Sequence, residues 1–118
     1  MNTRKNGDIY EQRAVSLLEA KGYVILDRQY RCAFGEVDIV ARDGECIVFL
    51  EVKHRKSKSS GDPLEAVTYK KMKRISMTAR HYMMKHGISE DAPIRFDVIG
   101  YTGDEAVHIK NAFYYAGP

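Results

Sequence analysis

Two strand-like segments joined by a short turn constrain this chain more than any other feature: Gly35-Glu36-Val37-Asp38-Ile39-Val40 and Phe49-Leu50-Glu51-Val52-Lys53. Both are apolar enough to be buried, yet they carry three carboxylates and a lysine. Charges are almost never fully buried without a partner or a metal, so the pattern suggests a site rather than a solvated surface. Asp43-Gly44 is a strong hairpin signal. A two-residue turn there sets Arg42 against Glu45, Glu36 against Glu51, Asp38 against Phe49 and Lys53 against Phe34. Alternation then puts residues 36, 38, 49, 51 and 53 on one face and 37, 39, 48, 50 and 52 on the other. The diagonal Asp38–Glu51 pair would have Cα atoms roughly 7–8 Å apart, near enough for both carboxylates to reach one cation. A one-residue slip would turn Asp38 to the opposite face.

Carboxylates that converge repel each other, and a hard divalent cation is the usual remedy. Mg²⁺ takes oxygen ligands, commonly one or two carboxylates, with water and substrate phosphate completing the shell. Such an ion acidifies water and stabilises charge on a phosphoryl group. Lys53 points the same way as Glu51 and could orient the attacking water or offset charge at phosphorus. The alternative is a simple Glu51–Lys53 or Asp38–Lys53 ion pair in a half-exposed sheet.

The length of 118 residues suits one domain with a single core. No apolar run approaches transmembrane length, and Met1-Asn2-Thr3-Arg4-Lys5 is not followed by a signal-peptide apolar region. Cys32 and Cys46 are too few for a disulfide framework and have no partner at metal-ligand spacing. They read as reduced packing residues of a cytoplasmic protein without a membrane partner. His54, His81, His86 and His108 form no zinc pattern. Charge is uneven: from Lys53 to Lys85 there are ten Lys or Arg against Asp62 and Glu65, in a chain whose net charge is only +3. A basic run that starts at the acidic site suits a nucleic-acid backbone, to be held by His54, Arg55, Lys56, Lys58, Lys70, Lys73 and Arg74. The plainer reading is a helix with a solvated basic face.

Periodicity gives a helix from Asp8 to Lys21, stopped by Gly22, then a strand from Tyr23 to Arg31. The hairpin strands 35–42 and 45–53 follow, then a polar basic loop from His54 to Gly61. Asp62-Pro63-Leu64-Glu65 opens a second helix that runs to about His86, near Gly87. Ile94 to Tyr101 is a fourth strand, and Ala106 to Ile109 a short fifth. The fold class is therefore a mixed α/β sheet protein of order α-β-β-β-α-β. Glu11 continues the apolar stripe of Ala14, Val15 and Leu18, and Lys71 lies four residues from both Val67 and Ile75. Each could reach the site. Alternatively, Glu11 completes a capping box with Asp8, and Lys71 lays its stem along apolar surface.

This order, with an acid on the first helix, Asp on strand two and Glu-x-Lys on strand three, resembles the restriction-endonuclease-like superfamily that shares the PD-(D/E)xK motif. More narrowly, Tyr10-Glu11-Gln12-Arg13-Ala14, Tyr30-Arg31-Cys32, Gly35 to Gly44, Phe49 to Ser57, Ala66-Val67-Thr68 with Lys71, and Arg95-Phe96-Asp97-Val98 are similar to the YraN-like family of bacterial proteins. The resemblance implies Asp38, Glu51 and the Val52 carbonyl as ligands of Mg²⁺ or Mn²⁺, and Lys53 as the catalytic lysine. Glu11 matches the helix-one acid of archaeal Holliday-junction resolvases, and Lys71 the basic or amide position of the second helix. Val37 stands where the superfamily has its nominal proline, and His54 and Met72 where Thr and Gln are expected. Glu36 has no superfamily-wide role and would bind a second ion or pair with a basic side chain.

The expected function is metal-dependent hydrolysis of nucleic-acid phosphodiesters, on DNA and by structure rather than sequence, since no base-reading element is recognisable. The alternatives are a nucleic-acid-binding module of the same fold and an interaction protein with structural carboxylates. Resolvases of this fold act as dimers, and Phe113-Tyr114-Tyr115 is apolar enough for a homodimer surface.

Overall fold

The computed structural model describes residues 3–55 and 67–117. Helix α1 (Thr3–Ala20) forms because Glu11, Ala14, Val15 and Leu18 fall on one helical face, and all four are buried. It closes where Tyr23 N–H reaches the Leu18 carbonyl and Gly22 N–H reaches Glu19, with Gly22 at φ +90°. This is the Schellman arrangement that favours glycine. Because α1 starts at Thr3, Asp8 lies inside it and cannot serve as the N-cap of a capping box with Glu11.

Three antiparallel strands follow: β1 (Val24–Cys32), β2 (Gly35–Asp43) and β3 (Cys46–Arg55). Helix α2 (Tyr69–Lys85) then crosses over to β4 (Ile94–Thr102), parallel to β3, and β5 (Glu105–Phe113) turns back along β4. The five strands lie in chain order in one mixed sheet. Alternate sheet residues divide two cores. Ile39, Ala41, Val48, Leu50 and Ile99 pack under α1, whereas Val40, Phe49, Phe96 and Val98 pack under α2.

The hairpin register differs from expectation. The turn is Gly44-Glu45, not Asp43-Gly44, so Asp43 opposes Cys46, and Arg42 opposes Ile47 instead of Glu45. Gly44 adopts φ +62° while Glu45 does not, as in a type II′ turn with glycine first. The shift is two residues, so it preserves facing parity, but it moves Asp38 from Phe49 toward Glu51. Regular β2–β3 pairing then stops at Ile39 and Leu50, and the strands fork. Strict alternation fails there as well: Val37, expected beside Ile39, packs in the α2 core instead.

Helix α2 begins at Tyr69, because Thr68 is extended (φ −70°, ψ 164°) and its hydroxyl accepts from Lys71 N–H. It is therefore not one helix running unbroken from Asp62. The expected opening at Asp62, Pro63 and Glu65 lies outside the described residues. Ile75, Ser76, Ala79, Tyr82 and Met83 form its inward face, with Met72 partly buried, which leaves the Lys71 side chain exposed rather than inward. A second Schellman closure at Gly87 ends it. Strand β5 is longer than expected because it resumes pairing after a bulge at Asn111 and ends with Phe113 stacked on Phe96, centroids 4.9 Å apart. Phe113 is thus a core residue, not part of an exposed apolar tail; Tyr114 is 81% exposed. Cys32 and Cys46 are both free. Among the described residues, no helix is long and apolar enough to cross a membrane.

Candidate active site

The fork between β2 and β3 is where backbone pairing lapses and side chains replace it. Asp38 accepts the Val52 N–H at 2.8 Å, so a carboxylate stands where a strand carbonyl would otherwise be. The backbone N–H of Asp38 in turn favours the ionised Glu51 carboxyl. Lys53, two residues along β3, places Nζ 3.6 Å from Glu51. Asp38, Glu51 and Lys53 are therefore brought together, with Val52 between the last two.

Electrostatically this cluster is strained by like charge. Burial pushes the Glu51 carboxyl up to about 8, and the nearby Asp38 charge adds to that; Lys53 opposes it only in part. Asp38 is also raised, first by burial, although the Val52 hydrogen bond and Lys53 favour its charged form. For both carboxyls the loss of hydration on burial outweighs the hydrogen bonds and the Lys53 charge that favour ionisation. The candidate donors are all oxygen, the carboxylates of Asp38 and Glu51 and the Val52 carbonyl, and Asp38 and Val52 line a cleft of about 330 Å³ together with Glu11, Gln29 and Glu36. That set suits a hard divalent cation that keeps several waters. Among the described residues, no three His, Cys, Asp or Glu side chains are arranged to hold a metal ion together.

Glu11 is 4% exposed and points from α1 toward this cleft. Its two oxygens take Arg28 Nε at 2.9 Å and the Gln29 amide. The same amide nitrogen lies 3.4 Å from Asp38 Oδ1, so Glu11 joins the fork through Gln29. Glu36 is exposed and pairs at 2.9 Å with Arg31, its direct opposite on β1. Arg28 and Gln29 were not singled out from sequence. A register count through the Ala33-Phe34 turn would have placed Gln29 opposite Asp38, since Cys32 opposes Gly35.

The basic residues distribute unevenly. His54 is exposed and stacks on Tyr10 with centroids 4.0 Å apart, and Arg55 donates to the Thr102 hydroxyl. Lys70, Lys73 and Arg74 are exposed on α2, with Arg74 beside Gly35 at the β1–β2 turn. Lys56 and Lys58 lie outside the described residues. Lys71, also exposed, contributes its backbone to the α2 cap.

Sheet, helices and fork define a mixed α/β protein with a carboxylate cluster at a break in strand pairing. The chain belongs to the family described as uncharacterised protein family UPF0102, whose model matches residues 10–101. It is 44% identical to a UPF0102 protein of Lachnoclostridium phytofermentans over 113 residues, 96% of each chain. It is 43% identical to one from Clostridioides difficile over 115 residues, 96% of this chain and all of the relative. A Legionella pneumophila relative is 37% identical over 94% of this chain and 96% of its own length.

Proposed function

We propose that this protein is a divalent-metal-dependent nuclease of the restriction-endonuclease-like class, acting on DNA by structure rather than sequence in the cytoplasm. The observation that carries the reading is the convergence of Asp38, Glu51 and Lys53 at the β2–β3 fork, with both carboxyls raised. Asp38, Glu51 and the Val52 carbonyl would hold Mg²⁺ or Mn²⁺. When bound, such an ion supplies Lewis acidity toward phosphate oxygens and acidifies water. Lys53, held beside Glu51, places a positive charge where a phosphate oxygen can be oriented and its charge offset. Glu11 anchors the helix side of the site. His54 and Arg55 continue β3 past the fork, and with the exposed Lys70, Lys73 and Arg74 of α2 they are the residues this reading assigns to contacts with a phosphate backbone.

One observation favours a second reading, a nucleic-acid-binding module with little activity of its own: both Glu11 oxygens are already engaged by Arg28 and Gln29. The test is cleavage of branched, nicked and linear substrates with Mg²⁺ or Mn²⁺, comparing the wild type with Asp38→Ala and Lys53→Ala. Cleavage by the wild type alone supports the nuclease. Activity surviving both substitutions sinks the proposed site. Silence across the panel, with binding that weakens steeply as salt rises, favours the module.

A further inference from the structure

Gln29 is one of two non-glycine residues with positive φ among the described residues, at +50°. A left-handed backbone costs a non-glycine residue about 1–2 kcal/mol, and such strain concentrates at functional sites. Its effect here is geometric. Consecutive strand side chains normally point to opposite faces, yet Arg28 and Gln29 both reach Glu11 on α1. The irregularity is matched across the ladder. Register is unchanged on either side, Arg28 opposing Ile39 and Tyr30 opposing Val37, so Gln29 stands opposite Asp38. Val37 and Ile39 accordingly enter different cores.

The result is a neutral bridge between two acids. The Gln29 amide nitrogen bonds Glu11 and lies 3.4 Å from Asp38 Oδ1, while its carbonyl oxygen faces Arg31 at 3.4 Å. Val52 N–H holds the other Asp38 oxygen. A lysine or arginine in this place would aim Asp38 equally well but would neutralise it. An amide orients the carboxylate and leaves its charge for a cation. We propose that Gln29 is a positioning residue, using Glu11 as its anchor to set the Asp38 carboxylate for divalent-cation binding. This rests on the metal-site reading above.

The test is calorimetric titration of Mn²⁺ into the wild type, Gln29→Gly, Gln29→Asn, Asp38→Asn and the Gln29→Gly/Asp38→Asn double variant, with thermal midpoints of the metal-free proteins. Glycine relieves the backbone and removes the amide; asparagine tolerates the left-handed region but ends one methylene short. Gln29→Gly should keep its thermal midpoint and bind Mn²⁺ about tenfold or more weakly, the usual cost of losing a partner that orients a ligand. Gln29→Asn should also weaken binding. The double variant should bind no more weakly than Asp38→Asn alone, because the amide acts through Asp38. Wild-type or tighter affinity in Gln29→Gly overturns the proposal, as does loss of the fold in both Gln29 variants, which would make the residue structural. A wild type that takes up no Mn²⁺ refutes the metal site itself, an outcome distinct from unchanged affinity in the variants.

Discussion

Asp38 and Asp97 invite comparison because the sheet uses them alike and their surroundings treat them oppositely. Each lies beside a left-handed residue of the neighbouring strand, Gln29 at φ +50° and Asn111 at φ +55°. Each accepts a strand N–H, from Val52 at 2.8 Å and from Asn111 at 2.9 Å. The neighbours then differ. Asp97, fully buried, also takes Arg95 through both oxygens at 2.9 and 3.0 Å and His108 Nε2 at 2.7 Å. The Lys21 ammonium can only donate, so its 3.0 Å contact fixes His108 Nδ1 as acceptor and Nε2–H as the donor to Asp97. Burial opposes ionisation of Asp97, but the His108, Arg95 and Asn111 hydrogen bonds outweigh it and hold the carboxyl below its ordinary range. Asp38 has an amide, a lysine and the carboxyls of Glu11, Glu36 and Glu51 around it, and its carboxyl is raised, first by burial. One aspartate has its charge matched by donors within the protein; the other is buried with its charge opposed. That distinction separates a structural carboxylate from a candidate ligand.

The largest effect that could break this contrast is on catalysis. On the proposed nuclease reading, Asp38→Asn should lower metal-dependent cleavage about 10³-fold or more, since several kcal/mol of charge stabilisation would depend on the metal's ligands. The thermal midpoint of the metal-free variant should hold or rise. Asp97→Ala should instead cost about 2–4 kcal/mol of stability by urea denaturation, because the His108 Nε2–H loses its acceptor and Arg95 is left with only Asp43 and the Tyr23 hydroxyl; a loss below about 1 kcal/mol would erase the distinction.

The pH profiles should slope in opposite directions. Asp97 has a depressed folded pKa, so its stabilisation is present above the ordinary carboxylate range and lost as pH falls through the folded value. Asp97→Asn should flatten that acid limb. Glu51 is raised to about 8, so its charge destabilises the metal-free fold increasingly as pH climbs from the ordinary carboxylate range, and fully above about 8. Glu51→Gln should remove this decline and stabilise the metal-free protein above about pH 8 by at least about 1 kcal/mol. An unchanged profile would show that Glu51 is not held against its charge. The smallest effect belongs to the exposed Arg31–Glu36 pair, where Glu36→Ala should cost about 0.2–1 kcal/mol and leave Mn²⁺ affinity unchanged. Tenfold weaker Mn²⁺ binding would make Glu36 a ligand.

Local chemistry determined a good deal by itself. Glycines 22 and 87, which relieve the left-handed closure, made both helix ends legible. Period-two apolar runs located the strands, and acids inside such runs marked Asp38 and Glu51, because an apolar pattern has no local reason to contain them. Over the paired stretch up to Ile39 and Leu50, facing parity survived a turn misplaced by one residue because that error moves the register by two, an even number; beyond it, Val37 crosses to the other core. What only the tertiary structure decided depends on contacts between distant segments. The left-handed kink at Gln29 has no signature in glutamine's preferences, and it appears only once β1 lies against β2 under α1. The Lys21–His108–Asp97–Arg95 chain joins residues up to 87 positions apart. Lys71 shared a helical stripe on paper but faces solvent, because Thr68 starts the helix late and Met72 takes the inward position. Pattern reports which residues a chain must hide; packing alone decides which of the hidden charges find a partner.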